Sequence, residues 1–288
     1  MTTADESHRV TVLGAGVMGT GIAAMTVAHG VPVVLVDVDA DVLARARADI
    51  RGKVRHARLM GVLPGDRREG ELVTSTSVSD GADATAVIEA TLENADVKAK
   101  ALGEAAATVP DGTPLISTTS GIPIDEMANW VPRPGELIGA HFMNPTYLIN
   151  TVEVIRGDRT ADSTLELVTA LFDHLNRHVV VVRDSPGFVT SRLLHPMINN
   201  AARLVGEGTA TVEDIDELMR KGIGHSVGPL RTADLIGIDN LVDSLVVLHE
   251  RTGDDSARPC EVLLDKVREG NLGRKTGRGF YDYEGLLS

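Results

Sequence analysis

His141 is the residue of this chain whose type and position most favour acid-base chemistry. It closes the apolar run of residues 138–145, "IGAHFMNP", a pattern typical of a buried strand. Histidine titrates close to neutral pH, so it can both accept and donate a proton under physiological conditions. The alternative is a core histidine whose ring only satisfies a hydrogen bond. Nine histidines are present, and His141 falls at the carboxyl end of a predicted strand, where open α/β sheets bind ligands. His195 and His225 are the two other candidates, and we interpret both as structural.

A glycine-rich turn near the N-terminus has the spacing of a dinucleotide-binding loop. Gly14, Gly16 and Gly19 form G-x-G-x-x-G between an apolar strand and a helical stretch, in "VTVLGAGVMGTGIAAM". The first glycine makes the tight turn, the second lets the backbone approach a pyrophosphate, and the third lets helix and strand pack closely. The pyrophosphate then meets the helix N-terminus. We assign this loop, with Val17 and Met18, to cofactor binding.

An acidic residue follows the glycine loop at the distance that dinucleotide sites require. The next predicted strand, "VPVVLVD", ends at Asp37, 18 residues after Gly19. A carboxylate there accepts hydrogen bonds from the ribose hydroxyls, and an Arg nearby would be needed to accommodate a 2′-phosphate. The residues that follow, "VDADV", contain no Arg. The predicted cofactor is therefore NAD rather than NADP.

The elements that must position these residues follow an alternating order. From Arg9 to about Ile155, apolar runs of four to six residues rich in Val and Ile alternate with Ala-rich stretches of helical spacing. This order predicts an α/β fold, a doubly wound and mostly parallel sheet covered by helices on both faces. From Pro186 onward the periodicity is helical throughout, and Thr211 with Asp214 resembles a helix cap. We expect an NAD-binding domain over residues 1–184 and an all-helical domain for substrate binding and dimerisation over residues 185–288.

Composition narrows the classes of function further. The chain has 288 residues, 43% of them hydrophobic, which is enough for a large core. The formal net charge of −13 argues against a general nucleic-acid binder, which needs clustered Lys and Arg. One cysteine, Cys260, excludes an internal disulfide and a Cys-based zinc site, and it fits a reducing, cytoplasmic compartment. We expect no metal site, no signal peptide and no membrane span.

An ordered series of motifs covers nearly the whole chain and resembles the 3-hydroxyacyl-CoA dehydrogenase family. The motifs are "GAGVMGTGIA", "IEATLENADVK", "STTSGIPI", "GAHFMNP", "TVEVI", "DSPGFVTSRLL", "GPLRTADLIGID" and "GRKTGRGFYDY". The resemblance implies a Rossmann-type domain followed by a helical domain, and NAD-dependent interconversion of a 3-hydroxyacyl thioester and its 3-oxo form.

The resemblance also implies roles for individual residues. His141 would be the general acid and base, and Glu153, twelve residues later in "TVEVI", would hold and electrostatically support its imidazole. Ser120 would hydrogen-bond the substrate oxygen, and Asn144 would brace the site. Glu93 and Lys98 would contact the nicotinamide-ribose end of the cofactor.

The chain also departs from the family pattern. Where the family has "NTSS", this chain has "TTSG" at residues 118–121, and Ser191 replaces the Asn of "PGFxxNR" that normally completes the site. Ser191 keeps a donor and an acceptor but is shorter, so a water or another substrate atom would fill the gap. Where acyl-CoA members carry "VPVMKL", this chain has "TYLINT", which places Tyr147 and Asn150 near the expected substrate mouth. We expect the chemistry to be retained and the substrate to be altered.

Three forms of the substrate agree equally with the sequence: a thioester on coenzyme A, a thioester on a carrier protein, and a free hydroxy acid. The most cationic stretch contains Arg51, Lys53, Arg55, Arg58, Arg67 and Arg68 against Asp66 and Glu69. It is suited to the phosphates of coenzyme A or to the acidic face of an acyl carrier protein, and it is equally consistent with a solvated helix. Family members include dehydrogenases of carrier-bound three-carbon units in polyketide extender supply and relatives that act on small free hydroxy acids.

Three further hypotheses bear on the function and the assembly. The lysine-using β-hydroxyacid dehydrogenases need Asn four residues after the catalytic Lys, and none of the six lysines meets that condition. A cofactor-binding relative that has lost its chemistry is favoured only by Ser191. The apolar positions of "RLLHPMINNAARLV" and "DNLVDSLVVL" predict a homodimer through residues 185–288.

Overall fold

The computed structural model describes residues 8–63 and 68–283. The chain divides into two compact units, whose boundary lies between Ser185 and Pro186. Within the described residues, no helix has both the length and the hydropathy that crossing a bilayer requires. No group of three or more His, Cys, Asp or Glu side chains in residues 8–63 and 68–283 is placed to hold a metal ion.

The first unit contains an eight-stranded sheet in the order β3-β2-β1-β4-β5-β6-β7-β8. Every neighbouring pair is parallel except β6 and β7, which run antiparallel. The predicted mostly parallel, doubly wound sheet is therefore confirmed. The strands are β1 Val10–Leu13, β2 Val33–Val36, β3 Leu72–Ser75, β4 Ala86–Glu89, β5 Leu115–Ser117, β6 Leu137–Phe142, β7 Thr151–Arg156 and β8 His178–Arg183.

In the described part of this unit, five α-helices accompany the sheet: α1 Val17–Ala28, α2 Ala40–Leu59, α3 Ala95–Thr108, α4 Ile124–Met127 and α5 Asp162–His174. All four residues of β1 and of β4 are buried, as expected for central strands covered on both faces. Asp39 caps α2 by accepting from the N–H groups of Asp41 and Val42, and Asn94 caps α3 by accepting from Val97. These caps fix the turns that follow β2 and β4.

The second unit is helical, as predicted, with α6 Thr190–Gly206, α7 Val212–Glu217, α8 Pro229–Ile236, α9 Ile238–Thr252 and α10 Glu261–Arg268. Thr211 accepts from the N–H of Asp214 at 3.1 Å, so the expected cap is present. The helical periodicity of "DLIGIDNLVDSLVVLHERTG" predicts one continuous helix, but the chain is broken at Gly237, whose φ of +94° lies outside helical space. The periodicity of "TVEDIDELMRKGIG" also predicts one helix, but the α-helix ends at Glu217 and continues as a π-helical turn, Leu218–Gly222.

A fully buried amide ties α6 to the segment before α10. Asn199 is 0% exposed, and its Nδ2 donates to the carbonyl oxygens of Ser256 at 2.9 Å and Arg258 at 2.7 Å. Its Oδ1 accepts from the backbone N–H of Cys260 at 2.9 Å. One side chain therefore hydrogen-bonds three backbone groups, and the Arg258 carbonyl also accepts from Nη2 of Arg203 at 2.7 Å.

Replacing Asn199 with alanine is expected to lower the free energy of unfolding by about 3 kcal/mol, because a fully buried amide loses three hydrogen bonds worth about 1 kcal/mol each. The matched control is Asn200→Ala, since Asn200 is exposed on the same helix and accepts from Nη1 of Arg203 at 2.7 Å. Urea denaturation of both variants measures the difference. Equal midpoints for the two would contradict this account of Asn199.

Burial also affects all three tyrosines of the chain. It raises the pKa of Tyr147 and of Tyr281, and it raises the pKa of Tyr283 to about 12, where Asp234 adds to the effect. The Tyr283 hydroxyl donates to Asp234 Oδ2 at 3.1 Å, and the Tyr281 hydroxyl donates to Asp216 Oδ2 at 2.9 Å. In all three residues the neutral phenol is favoured in the folded state.

An alkaline titration should reveal these shifts. At the ordinary tyrosine pKa of about 10 the folded chain should show less than half the phenolate absorbance of the unfolded chain. Because the folded-state pKa values are raised, the stability these groups contribute is present below about pH 10 and is lost as the pH rises through the folded-state values. Ultraviolet absorbance with and without guanidinium checks this, and identical titration curves would disprove it.

Candidate active site

The predicted pair of His141 and Glu153 is brought together by two neighbouring strands. His141 on β6 stands directly opposite Glu153 on β7 in the antiparallel register. Nδ1 of the imidazole lies 3.0 Å from Oε2 of the carboxylate, and the two side chains are 12% and 6% exposed. A proton on Nδ1 makes Nε2 the basic nitrogen of the ring. The geometry is that of a base oriented by a carboxylate.

A buried arginine that the sequence analysis did not predict hydrogen-bonds the backbone of the loop between β6 and β7. Arg177 is 3% exposed, and its Nη1 donates to the carbonyl of Ile149 at 2.9 Å and to that of Thr146 at 3.4 Å. Burial lowers the pKa of Arg177. Tyr147, in the same loop, has its hydroxyl 3.3 Å from Nδ1 of His56 on α2. Arg177 and His56 therefore both restrain the loop that joins the strand of His141 to the strand of Glu153.

The glycine loop after β1 has the geometry expected of a pyrophosphate cradle. Gly14 has a φ of +95°, and a Cβ there would lie 2.5 Å from the carbonyl oxygen of Ala90. A Cβ at Gly19 would lie 1.8 Å from the carbonyl oxygen of Gly14, whereas one at Gly16 would meet no atom within 4 Å. Neighbouring backbone atoms therefore require glycine at positions 14 and 19. Gly16 instead faces open space at the N-terminus of α1. A dinucleotide pyrophosphate fits this space.

The acidic residue at the end of β2 completes the cradle. Oδ2 of Asp37 accepts from the N–H of Ala15 at 2.8 Å, and Oδ1 accepts from the N–H of Asp39 at 3.0 Å. An open cavity of about 470 Å³ adjoins this turn and is lined by Ala40, Leu43, Ala44, Thr74, Ser75 and Thr76. The Asp37 carboxylate is therefore fixed by the backbone of the glycine turn and of the turn that precedes α2.

A second group of charges lies at the ends of β4 and β5. Glu89 is 0% exposed and pairs with Lys98, which is 1% exposed, through both carboxylate oxygens at 3.0 Å. Lys98 also lies 3.3 Å from Oε2 of Glu93, which is 42% exposed. Oε1 of Glu93 accepts from the N–H groups of Ser120 and Gly121, both at 3.0 Å. The structure therefore joins Glu93, Lys98 and Ser120 through direct contacts.

The other predicted site residues lie at different places in the two units. Asn144 is exposed and forms a cis peptide bond with Pro145, two residues after β6. Val17 is 66% exposed at the start of α1, while Met18 packs against the core. Ser191 belongs to the second unit, where it is 5% exposed in the first turn of α6.

Acidic residues neutralise part of the cationic stretch. Lys53 pairs with Asp49 and donates to the Thr20 hydroxyl at 2.7 Å, and Arg58 pairs with Glu69 at 2.7 Å. Arg67 and Asp66 of this stretch lie outside the described residues.

Glu89 is the principal site residue that sequence reasoning missed. It sits inside an apolar strand, "AVIEA", and the signal that could have revealed it is a carboxylate in a run otherwise suited to a buried central strand. A charge in such a position must be paired, because an isolated buried carboxylate is too costly to maintain. Lys98 is that partner.

The comparisons with known proteins cover both units. A family model described as the NAD-binding domain of 3-hydroxyacyl-CoA dehydrogenase matches residues 9–185, and the model of its C-terminal domain matches residues 187–283. The chain is 41% identical over 280 residues to the 3-hydroxybutyryl-CoA dehydrogenase of Bradyrhizobium diazoefficiens, with 96% of each chain covered.

Two solved structures share the fold over essentially their full lengths. FadB2 of M. tuberculosis has a TM-score of 0.92 at 35% identity, with 97% of this chain and 100% of that chain covered. The (S)-3-hydroxybutyryl-CoA dehydrogenase PaaH1 from Ralstonia eutropha has a TM-score of 0.87 at 37% identity, with 96% and 99% covered.

Proposed function

Because this chain belongs to the 3-hydroxyacyl-CoA dehydrogenase family, we propose that it interconverts a 3-hydroxyacyl thioester and its 3-oxoacyl form, with His141 and Glu153 as the acid-base pair. The observation that carries the proposal is the 3.0 Å contact between His141 Nδ1 and Glu153 Oε2. It lies at the edge of the sheet where β1, β4, β5 and β6 all end. The glycine loop opens at that same edge.

The residues account for the movement of the substrate proton. In the oxidation direction, Nε2 of His141 accepts the proton of the C3 hydroxyl, and the Glu153 carboxylate stabilises the resulting imidazolium. In the reduction direction, the imidazolium returns the proton to the oxygen at C3. NAD, when bound, supplies the acceptor or donor of the hydride at C3. Ser120 hydrogen-bonds the substrate oxygen and holds C3 in place.

Further residues are assigned to the same site. The cofactor is held by the glycine loop with Val17 and Met18, by Asp37 at the adenosine ribose, and towards the nicotinamide ribose by Glu93, behind which Lys98 lies buried. Asn144 braces His141 from the loop, and Ser191 takes the place of the family Asn. We propose residues 1–184 as the NAD-binding domain and residues 185–288 as the domain for substrate binding and dimerisation.

The proposed substrate is a short acyl group on coenzyme A, as the name 3-hydroxybutyryl-CoA dehydrogenase of the relative indicates. A second candidate is a three-carbon hydroxyacyl unit on an acyl carrier protein, or a small free hydroxy acid. The observation that favours it is Tyr147, which is fixed against His56 on the helix that bears the cationic stretch. The Tyr147 phenol, held in this position, leaves less room for an acyl chain to reach His141 along the loop between β6 and β7.

We further propose a homodimer formed through the helical unit. Leu193, Leu218 and Ile223 are large apolar side chains of this unit that are 70%, 66% and 66% exposed. Contact with a second copy of the chain would remove this apolar surface from water, which favours association. Light scattering at micromolar concentration should give the mass of a dimer, and a monomer would contradict the proposal.

The experiment that tests the function follows NADH absorbance with three substrates in parallel: acetoacetyl-CoA, a three-carbon 3-oxoacyl unit on carrier protein, and a free 3-hydroxy acid with NAD. Turnover with acetoacetyl-CoA supports the coenzyme A thioester. Turnover only with the carrier-bound or the free compound supports the second candidate substrate and rejects the coenzyme A thioester. No turnover with any of them contradicts the proposed chemistry.

A further inference from the structure

We propose that Glu89 and Lys98 form a buried positioning pair that fixes Glu93, and through Glu93 the segment that carries Ser120. In this arrangement Lys98 acts on the site through Glu93. The inference rests on the proposed function, because Ser120 has its role only if the chain turns over an acyl substrate.

Glu89 is a junction of the elements that surround the site. Besides Lys98 of α3, its carboxylate accepts from the Ser117 hydroxyl at 2.6 Å, at the end of β5. It also accepts from the N–H and the hydroxyl of Thr91, at 2.8 Å and 2.7 Å. Glu89 itself ends β4. A single buried carboxylate thus ties two strand ends, the following turn and the neighbouring helix to one point.

Lys98 transmits this rigidity to Glu93. Its ammonium is buried between two carboxylates, 3.0 Å from both oxygens of Glu89 and 3.3 Å from Oε2 of Glu93. Glu93 is the one exposed member of the group, and an exposed glutamate without a fixed partner samples several rotamers. Lys98 therefore supplies the charge that selects one orientation of Glu93.

Glu93 in turn organises the segment after β5. Its Oε1 accepts from the Thr119 hydroxyl at 2.6 Å and from the N–H groups of Ser120 and Gly121, both at 3.0 Å. Three donors on three successive residues converge on one oxygen, so the backbone of this segment follows the position of Glu93. A displacement of about 1 Å of a substrate-positioning group can lower turnover by about 100-fold.

The buried pair has a structural effect that must be separated from the positioning effect. Removing one partner leaves an uncompensated buried charge, which is strongly destabilising, whereas removing both charges together is often neutral for stability. The double variant Glu89→Gln/Lys98→Met therefore removes the anchor of Glu93 without leaving an unpaired charge. Lys100→Met is the matched control, because Lys100 lies on the same helix, 76% exposed and 4.0 Å from Glu104.

The test measures kcat with acetoacetyl-CoA and NADH together with the melting temperature. We expect the double variant to melt close to the wild type but to lose about 10- to 100-fold in kcat, while Lys100→Met keeps both values. A double variant that folds and retains wild-type kcat would overturn the inference, since the pair would then be structural only.

A second comparison keeps the inference testable if the double variant does not fold. Glu93→Gln leaves the buried pair intact, so it should fold normally and lose kcat to a similar extent. A Glu93→Gln enzyme that folds and keeps wild-type kcat would overturn the inference. If the double variant folds, adding Glu93→Gln to it should lower kcat by no more than about a further factor of two, because residues that act as one unit are not additive. Losses that multiply would contradict action through Glu93. If the wild-type enzyme itself shows no turnover, the proposed function is rejected, and the positioning role of Glu89 and Lys98 is rejected with it.

Discussion

His141→Gln is expected to lower kcat for acetoacetyl-CoA reduction by about 10³-fold, since general acid-base catalysis contributes roughly 10² to 10⁴. Glutamine keeps polarity and approximate size but cannot give the proton to the oxygen at C3. The affinity for NADH should be unchanged, because His141 lies on β6, three strands from the glycine loop after β1. Steady-state kinetics and NADH fluorescence measure the two quantities on the same preparation.

The matched control for this variant is His178→Gln. His178 is an exposed histidine at the start of β8, in the same unit but on the outermost strand of the sheet. Its replacement should change kcat by no more than about a factor of two, as surface substitutions usually do. A His141→Gln enzyme with wild-type turnover would remove His141 from the reaction and restore its interpretation as a core histidine.

Gly16→Ala should fold normally and lose affinity for NADH by about 10- to 100-fold. A Cβ at Gly16 meets no protein atom within 4 Å, so the substitution costs the folded chain little. The methyl group instead occupies the space where a pyrophosphate would approach the backbone. Overpacking of this kind costs about 1–3 kcal/mol, and each 1.4 kcal/mol corresponds to tenfold in affinity.

Two other glycines serve as controls for Gly16→Ala. Gly19→Ala should fail to accumulate as folded protein, because its Cβ would lie 1.8 Å from the carbonyl oxygen of Gly14. Gly52→Ala, in α2 with no atom within 4 Å, should preserve NADH binding and add about 0.5–1 kcal/mol of stability. Melting temperatures and NADH titrations of the three variants separate folding from binding. Unchanged NADH affinity in Gly16→Ala would contradict a pyrophosphate at this turn.

The parts of the site that the sequence predicts well depend on short-range chemistry. The glycine loop is one continuous turn between a strand and a helix, so its spacing alone specifies the cradle. His141 and Glu153 lie on consecutive strands joined by one loop, so a separation of twelve residues allows the pairing that the family resemblance implies. In both cases few other arrangements of the intervening chain are available.

The parts that the sequence did not reveal depend on long-range packing. Glu89 and Ser117 are 28 residues apart, and their 2.6 Å contact follows only from the pairing of β4 with β5. Arg177 reaches the loop at Ile149 because β8 pairs with β7, which no local pattern indicates. The break at Gly237 was missed because the apolar periodicity continues across it. A positive φ at one glycine interrupts a helix without changing its hydrophobic pattern.

The most direct test of the central claim follows the hydrogen that reaches C3. Acetoacetyl-CoA is incubated with the enzyme and NADH carrying deuterium at one of the two C4 positions, and the 3-hydroxyacyl product is weighed by mass spectrometry. Because hydride moves from C4 of the nicotinamide to C3, we predict product that carries one deuterium with one labelled form of NADH and none with the other. Product without deuterium from both labelled forms, or no product at all, would contradict it.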